Sequence, residues 1–128
     1  MKLRIRSNTL RIRLAQDEVQ RLAENGSLRD ELRFGLGEGM LFSYGIELTA
    51  SQSSFGIHYE LGNITLLMPA SLGSGWYDSA EVGFSAEVEV GGGETISLLI
   101  EKDFVCLKPR DPEEDKGGFP HPESDRKC

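Results

Sequence analysis

Two short runs near the N-terminus alternate apolar and basic residues so strictly that they constrain the fold more than any other stretch. The apolar positions are odd within residues 2–6 and even within residues 9–14, and lysine or arginine fills most places between them. A repeat of two residues is typical of a strand that buries one face. Because the phase changes across Ser7-Asn8-Thr9, a turn or a bulge must lie there.

The phase change leaves two interpretations open, a tight hairpin at Ser7-Asn8 or one long bulged strand. We favour the hairpin slightly, because asparagine tolerates a positive φ angle. In both interpretations the apolar side chains share one face and the arginines share the other. Those arginines are Arg4, Arg6, Arg11 and Arg13.

A short helix is predicted next, over residues 16–24. Val19, Leu22 and Ala23 have the spacing of one helix face, and Asn25-Gly26 is a typical C-terminal stop. Its start is poorly marked, because Ala15 stands where a capping Ser, Thr or Asp is expected.

Alternating or β-branched segments continue along the chain and predict further strands over residues 28–34, 41–49, 54–61, 64–68, 82–90 and 95–104. The glycines of residues 35–39 indicate a flexible hairpin connection, because their spacing does not match a dinucleotide-binding loop. The clearest hairpin joins residues 54–61 to 64–68 through a tight turn at Gly62-Asn63. Residues 69–79 are predicted to form an irregular or short helical connection, with Trp76 and Tyr77 closing one end of the core.

These elements predict an α+β, mostly β fold: a curled antiparallel sheet or open β-barrel of about seven or eight strands, with one clear helix. Residues 1–107 are expected to form one globular domain. Residues 108–128 are an acidic, proline- and glycine-rich tail with Phe119 as their one large apolar residue, and this composition predicts disorder.

Charge is distributed unevenly along the chain. The net charge is −7, and no lysine or arginine occurs between Phe34 and Ile100, where eight acidic residues accumulate. Such a chain is expected to bind neither nucleic acid nor an anionic membrane. The N-terminus has no apolar leader and the two cysteines, Cys106 and Cys128, form no disulfide framework, so we expect a cytoplasmic protein.

The charged face of the predicted sheet has three interpretations. Paired arginines and glutamates can simply hold strand register in solvent. Alternatively, the face binds an anionic small molecule or a protein partner, with forked guanidinium donors as the ligand-binding groups. The candidate ligand-binding residues are Arg4, Arg6, Arg11, Arg13, Arg29 and Arg33. The third interpretation is a homodimer formed through an edge strand of the N-terminal hairpin.

The alternative to a binding domain without a cofactor is an enzyme whose reaction is assisted by a metal ion. Glu87 and Glu89 lie two residues apart on a predicted strand and could hold Mg²⁺ beside a bound phosphate. This disposition is similar to that of the triphosphate tunnel enzymes of the CYTH type, which implies polyphosphate or triphosphate hydrolysis. The chain departs from that family because Leu3-Arg4-Ile5-Arg6 stands where its E-x-E-x-K motif would open the first strand, and Gly91 follows Glu87 and Glu89 where a lysine is needed.

Both ends of the chain also resemble a family of small uncharacterised bacterial proteins, a domain of unknown function. The resemblance rests on the opening MKLRIRSNTLRIRLAQDEVQRLAENG, on Ile100–Leu107 with Arg110-Asp111 after it, and on Phe119-Pro120. Ala15 departs from the pattern, where a capping threonine is favoured. The resemblance implies a bacterial, cytoplasmic origin and brings no activity with it.

Overall fold

The protein is described by a computed structural model that covers residues 1–104. Eight strands and two helices lie in this part of the chain. In order they are β1 (Lys2–Arg6), β2 (Thr9–Leu14), α1 (Gln16–Asn25), β3 (Ser27–Arg33), β4 (Leu41–Thr49), β5 (Gly56–Glu60), β6 (Asn63–Pro69), α2 (Ala70–Gly73), β7 (Gly83–Gly91) and β8 (Glu94–Lys102).

The strands form two four-stranded sheets of the same design. The first sheet has the order β1-β2-β8-β7, and the second has the order β3-β4-β6-β5. Each sheet combines two antiparallel hairpins, whose second strands lie side by side in the centre and run parallel. The first strand of each hairpin therefore lies at a sheet edge.

This design gathers the hairpin turns at one end of the molecule. Within a sheet, both central strands begin just after their turns and run in the same direction, so both turns lie at the same end. The two sheets share that end, because Ser7, Asn8 and Thr9 of the first sheet line one hollow with Tyr59 and Ile64 of the second. We call the region of the four turns, residues 7–8, 34–40, 61–62 and 91–93, the hairpin end.

The core lies between the inner faces of the two sheets. The buried apolar side chains from the strands are Leu10, Ile12, Leu14, Ile46, Ile64, Leu66, Met68, Leu98 and Ile100. Away from the hairpin end, Val19 and Leu22 of α1 and the buried Trp76 complete it. Trp76 contacts the Phe84 ring edge-on at a centroid distance of 5.2 Å and donates its indole N–H to the Glu81 carbonyl at 2.8 Å. The prediction that Trp76 closes one end of the core thus agrees with its burial.

The predicted α+β, mostly β class is confirmed, with eight strands. No barrel closes within residues 1–104, since the strands divide into two separate sheets. The parallel central pairs were not predicted, because alternation defines the faces of a strand but not its neighbours. The tail predicted for residues 108–128 lies outside the described part of the chain.

The N-terminal hairpin at Ser7-Asn8 is confirmed, and Ser7 rather than Asn8 takes the positive φ of 49°. The β5–β6 hairpin is also confirmed, but its turn was placed one residue too late. Glu60 pairs with Asn63, so Leu61 and Gly62 form the turn with φ angles of 47° and 82°. Positive φ at both central residues defines a type I′ turn, which matches the twist of the flanking strands.

Candidate anion-binding face

Five cationic side chains share the outer face of the β1–β2 hairpin. Directly opposed residues of an antiparallel pair lie on the same face, and here Leu3 opposes Ile12 on the core side, so the residues between them point outward. We call this outward set the basic strip: Lys2, Arg4, Arg6, Arg11 and Arg13. The predicted division into an apolar and a basic face agrees with this register.

Like charges oppose one another within the basic strip. Arg4 lies directly opposite Arg11, and Lys2 lies opposite Arg13. Such cross-strand pairs destabilise a sheet unless anions neutralise them. Two neutralising contacts are present: Arg11 Nε donates to Glu101 Oε1 at 2.5 Å, and Lys2 Nζ lies 2.8 Å from the Asp103 carboxylate.

The other three cations of the basic strip have no such partner in the described chain. Within residues 1–104, no carboxylate oxygen lies within 4.0 Å of the guanidinium groups of Arg4, Arg6 or Arg13. Lys2, Arg4, Arg11 and Arg13 line a surface hollow of about 290 Å³. The strip therefore presents several guanidinium donors at one open surface.

The charge of the basic strip acts on the Asp103 carboxyl group. The pKa of Asp103 is lowered from its usual value, chiefly by the hydrogen bond from Lys2, which outweighs the opposing effect of desolvation. The positive charges of Lys2 and Arg13 lower it further. Asp103 also anchors this part of the chain, because its backbone N–H donates to the Leu14 carbonyl at 2.8 Å.

Glu87 and Glu89, the predicted metal ligands, lie on the outer face of the first sheet as well. They belong to β7, which is separated from β2 by β8, so about 10 Å separates their strand from Arg11 and Arg13. Ser97 donates its hydroxyl to Glu87 at 2.7 Å. Within residues 1–104, no three His, Cys, Asp or Glu side chains are grouped so that they could hold a metal ion. The arginines and the two glutamates thus lie side by side on one face and not across a cavity.

Arg29 and Arg33 lie on the second sheet, whose outer face points away from the basic strip. Arg29 extends across β4 and donates to Ser43 Oγ at 2.8 Å and to Thr65 Oγ1. Ser43 in turn donates to Asn63 Oδ1. Gly45 leaves room for this crossing, because a Cβ atom there would lie 3.2 Å from the Arg29 guanidinium carbon.

The six predicted arginines therefore do not form one wall. Arg29 is held by neighbouring hydroxyls, and Arg33 donates to the Gly35 carbonyl at 3.3 Å near the hairpin end. The four arginines of β1 and β2 share the outer face of the first sheet, and Arg29 and Arg33 lie on that of the second. Sequence reasoning missed Glu101, the partner of Arg11, and Asp103, the partner of Lys2, because both lie at the far end of the chain and are brought near by the parallel pairing of β2 with β8.

A different cationic group, the Met1 amine, is held by two carboxylates. It contacts Glu18 and lies 3.2 Å from Asp30 Oδ2. Desolvation by burial lowers the pKa of the amine, but the hydrogen bonds and charges of Glu18 and Asp30 together raise it above 8.0. Glu18 also accepts the Ala15 backbone N–H at 2.8 Å, so it secures the start of α1 in the absence of a capping side chain at Ala15.

Fold and site together define a mostly β domain of two hairpin-built sheets that carries a basic strip at one sheet edge. The chain belongs to a family described as a family of unknown function (DUF7009), whose model matches residues 1–123. The expected resemblance to a domain-of-unknown-function family is thereby confirmed. No curated protein and no solved structure matches the chain significantly. Neither helix in the described part of the chain is long and apolar enough to cross a membrane.

Proposed function

We propose that this protein is a non-enzymatic binding domain that takes up an extended acidic polypeptide segment along the basic strip. The observation that carries the proposal is the excess of positive charge on one hairpin face: five cations, of which only Lys2 and Arg11 have carboxylate partners within residues 1–104. Guanidinium groups without partners on an exposed face are available to carboxylates, which they bind with two donors at once.

The spacing of the strip supports an extended ligand. Arg4 and Arg6 are two residues apart on β1, which separates their side chains by about 7 Å. Alternate side chains of an extended peptide have the same separation, so successive acidic residues can meet successive arginines. The hollow beside Arg4 and Arg11 is a surface depression lined by exposed and half-buried side chains, which suits a chain lying across the face better than an enclosed small molecule.

The position of β1 supports strand addition. Within the described chain, β1 has a hydrogen-bonded neighbour on one side only, so it leaves backbone donors and acceptors for an added strand. The basic side chains on this edge would repel another copy of the same edge. An acidic segment meets no such repulsion. Charge would therefore select the partner, while backbone hydrogen bonds would orient it.

The test is a titration of a fluorescently labelled peptide of alternating Glu and Val, followed by fluorescence anisotropy. We expect binding that weakens as salt concentration rises, because exposed charge pairs are screened. The double variant Arg4→Gln, Arg6→Gln should weaken binding about tenfold or more. Arg21→Gln is the matched control, since Arg21 is an exposed arginine on α1 whose ion-pair partner in the described chain is Asp17 at 3.3 Å. The affinity of this variant for the peptide should stay within about twofold of that of the unaltered protein.

Two further ligands make the result decisive. A peptide with lysine in place of glutamate should not bind. If tripolyphosphate binds through Arg4 and Arg6 and the acidic peptide does not, the site serves a small anion and the polypeptide proposal is overturned. Equal loss of affinity in the Arg21→Gln control would also overturn it, because net charge alone would then explain the binding.

A further inference from the structure

Most of the exposed large apolar side chains lie at the hairpin end. Eight of the eleven such residues in the described chain flank its four turns, and the remaining three lie elsewhere. The eight are Ile5, Leu32, Phe34, Leu36, Met40, Tyr59, Leu61 and Val90. Scattered exposed apolar residues are ordinary, but a concentration of this kind marks an interaction surface.

Ile5 and Tyr59, among these residues, belong to the inner faces of the sheets. Ile5 pairs with the core residue Leu10, and Tyr59 pairs with the core residue Ile64, yet they are 57% and 65% exposed. Ile5 and Tyr59 line a common hollow of about 220 Å³ whose other walls include Ile57 and Ile96. The space between the sheets is therefore open at the hairpin end, and core-type side chains are exposed there.

The loop between β3 and β4 extends this surface. Leu36 is 98% exposed and Leu61, on the neighbouring β5–β6 turn, is 87% exposed, and both line a second hollow. The loop is held in shape by backbone hydrogen bonds, from Phe34 to the Met40 carbonyl at 2.6 Å and from Met40 to the Gly37 carbonyl at 3.2 Å. Leu36 is thus exposed on an ordered loop.

We propose that the hairpin end is the interface of a homodimer, in which a second copy of this chain covers the same apolar surface. Eight large side chains at this exposure present on the order of 800 Å² in sum. That area matches the ~800 Å² per partner of a standard stable interface. An apolar surface is chemically complementary to itself, as a two-fold contact requires.

Charge at the rim of the surface also fits a second copy. Arg33 and Glu38 both line the hollow that contains Leu36 and Leu61, and neither makes an ion pair within residues 1–104. Each copy thus offers one cation and one anion beside the apolar surface. A two-fold axis can pair Arg33 of each copy with Glu38 of the other, so that two ion pairs flank the apolar contact.

The C-terminal segment is a poorer occupant than a second copy. The described chain ends at Phe104, just beyond β8, which runs away from the hairpin end. Residues 105–128 hold three large apolar residues, Val105, Leu107 and Phe119. Three such residues cannot cover eight large apolar side chains.

The test is the oligomeric state of the full chain, measured by sedimentation velocity from low micromolar to near-millimolar concentration. We expect a monomer–dimer equilibrium that strengthens as salt rises, because salt screens the repulsion between copies of net charge −7. Leu36→Asp should raise the dimer dissociation constant about tenfold or more. Val82→Asp is the matched control, since Val82 is 52% exposed at the opposite end and gains the same charge, and it should leave dimerisation unchanged.

A charge exchange tests the rim. Arg33→Glu should weaken the dimer, and adding Glu38→Arg should restore it, with circular dichroism confirming that each variant is folded. A monomer at every concentration overturns the proposal, as does equal dissociation by Leu36→Asp and Val82→Asp. If the unaltered protein stays monomeric but co-sediments with phosphatidylcholine vesicles in a manner that Leu36→Asp abolishes, a lipid surface and not a second copy occupies the hairpin end.

The dimer and the peptide-binding site are independent of each other. They lie on different surfaces and respond to salt in opposite directions. Arg4→Gln with Arg6→Gln should reduce peptide binding and leave the dimer intact, and Leu36→Asp should do the reverse.

Discussion

Arginines on the outer faces of the two sheets have opposite surroundings, although the same strand periodicity places them. On the second sheet, Arg29 lies over Gly45 and donates to Ser43 and Thr65, whose side chains are buried beneath it. On the first sheet, Arg4 opposes Arg11 and has no carboxylate partner within residues 1–104. A guanidinium with satisfied donors stabilises the fold, whereas one with open donors is available to a ligand.

The difference comes from the residues that face each arginine. On the second sheet, a glycine and two hydroxyl groups provide space and acceptors for Arg29. On the first sheet, the residues that face Arg4 and Arg6 across the hairpin are Arg11 and Thr9. The outward position of an arginine in an alternating strand therefore does not indicate its role until its cross-strand neighbours are known.

The largest expected effect tests the space over which Arg29 crosses β4. In Gly45→Ala, the new Cβ would lie 2.4 Å from the Leu28 carbonyl oxygen, which is part of the backbone and cannot move aside cheaply. We expect the free energy of unfolding to fall by about 3 kcal/mol, measured by urea denaturation. Gly37→Ala is the matched control, because its Cβ would meet Met40 at an ordinary 3.8 Å. Equal effects at the two glycines would show that Gly45 is not specifically required.

The second prediction compares the two kinds of arginine directly. Arg29→Met keeps the apolar stem but leaves the buried Ser43 and Thr65 hydroxyls without their donor, so we expect a loss of about 2 kcal/mol in the free energy of unfolding. Arg4→Met removes a like-charge pair with Arg11 and should change stability by no more than about 0.5 kcal/mol. If Arg4→Met lowered the free energy of unfolding as much as Arg29→Met, the basic strip would be required for stability and would not be free for a ligand.

The smallest expected loss of stability concerns the Met1 amine, which is a cation with partners, as Arg29 is, but its partners are carboxylates. Its pKa is raised in the folded state, so its contribution to stability is complete below pH 8.0 and is lost as pH rises through the raised value. Glu18→Gln should reduce the free energy of unfolding at pH 7 by about 1 kcal/mol. It should also make the loss of stability with rising pH less steep.

The measurement for the amine is the midpoint of urea denaturation at a series of pH values up to 10. Tyr44 limits the upper end of the series. Its pKa is raised above 10.0 by burial and by the charges of Asp30 and Glu18, so its ionisation destabilises the fold only at still higher pH. An unchanged slope between pH 8 and 10 in the Glu18→Gln variant would contradict the assignment of the decline to the amine.

The sequence predicted much of the local structure. Alternation placed the strands within a few residues and assigned the faces of β1 and β2, because the repeat of a strand is fixed by backbone geometry. The turn at residues 61–62 was missed by one residue, since both Gly62 and Asn63 tolerate turn conformations and only the pairing of Glu60 with Asn63 distinguishes them. The exposure of Leu36 was also missed, because a glycine-rich connection gives no sign of which side chains it buries.

Strand identity, the charge-bearing faces and the acidic character of the chain were thus determined by the sequence alone, because each depends on neighbouring residues or on composition. Tertiary structure alone decided that β2 lies beside β8 and β4 beside β6. These parallel pairings join segments far apart in the chain, and they form because the apolar faces of four hairpins must be buried together. They give Arg11 its partner Glu101, bring Thr65 beside Gly45 and within reach of Arg29, and gather four turns at one apolar end.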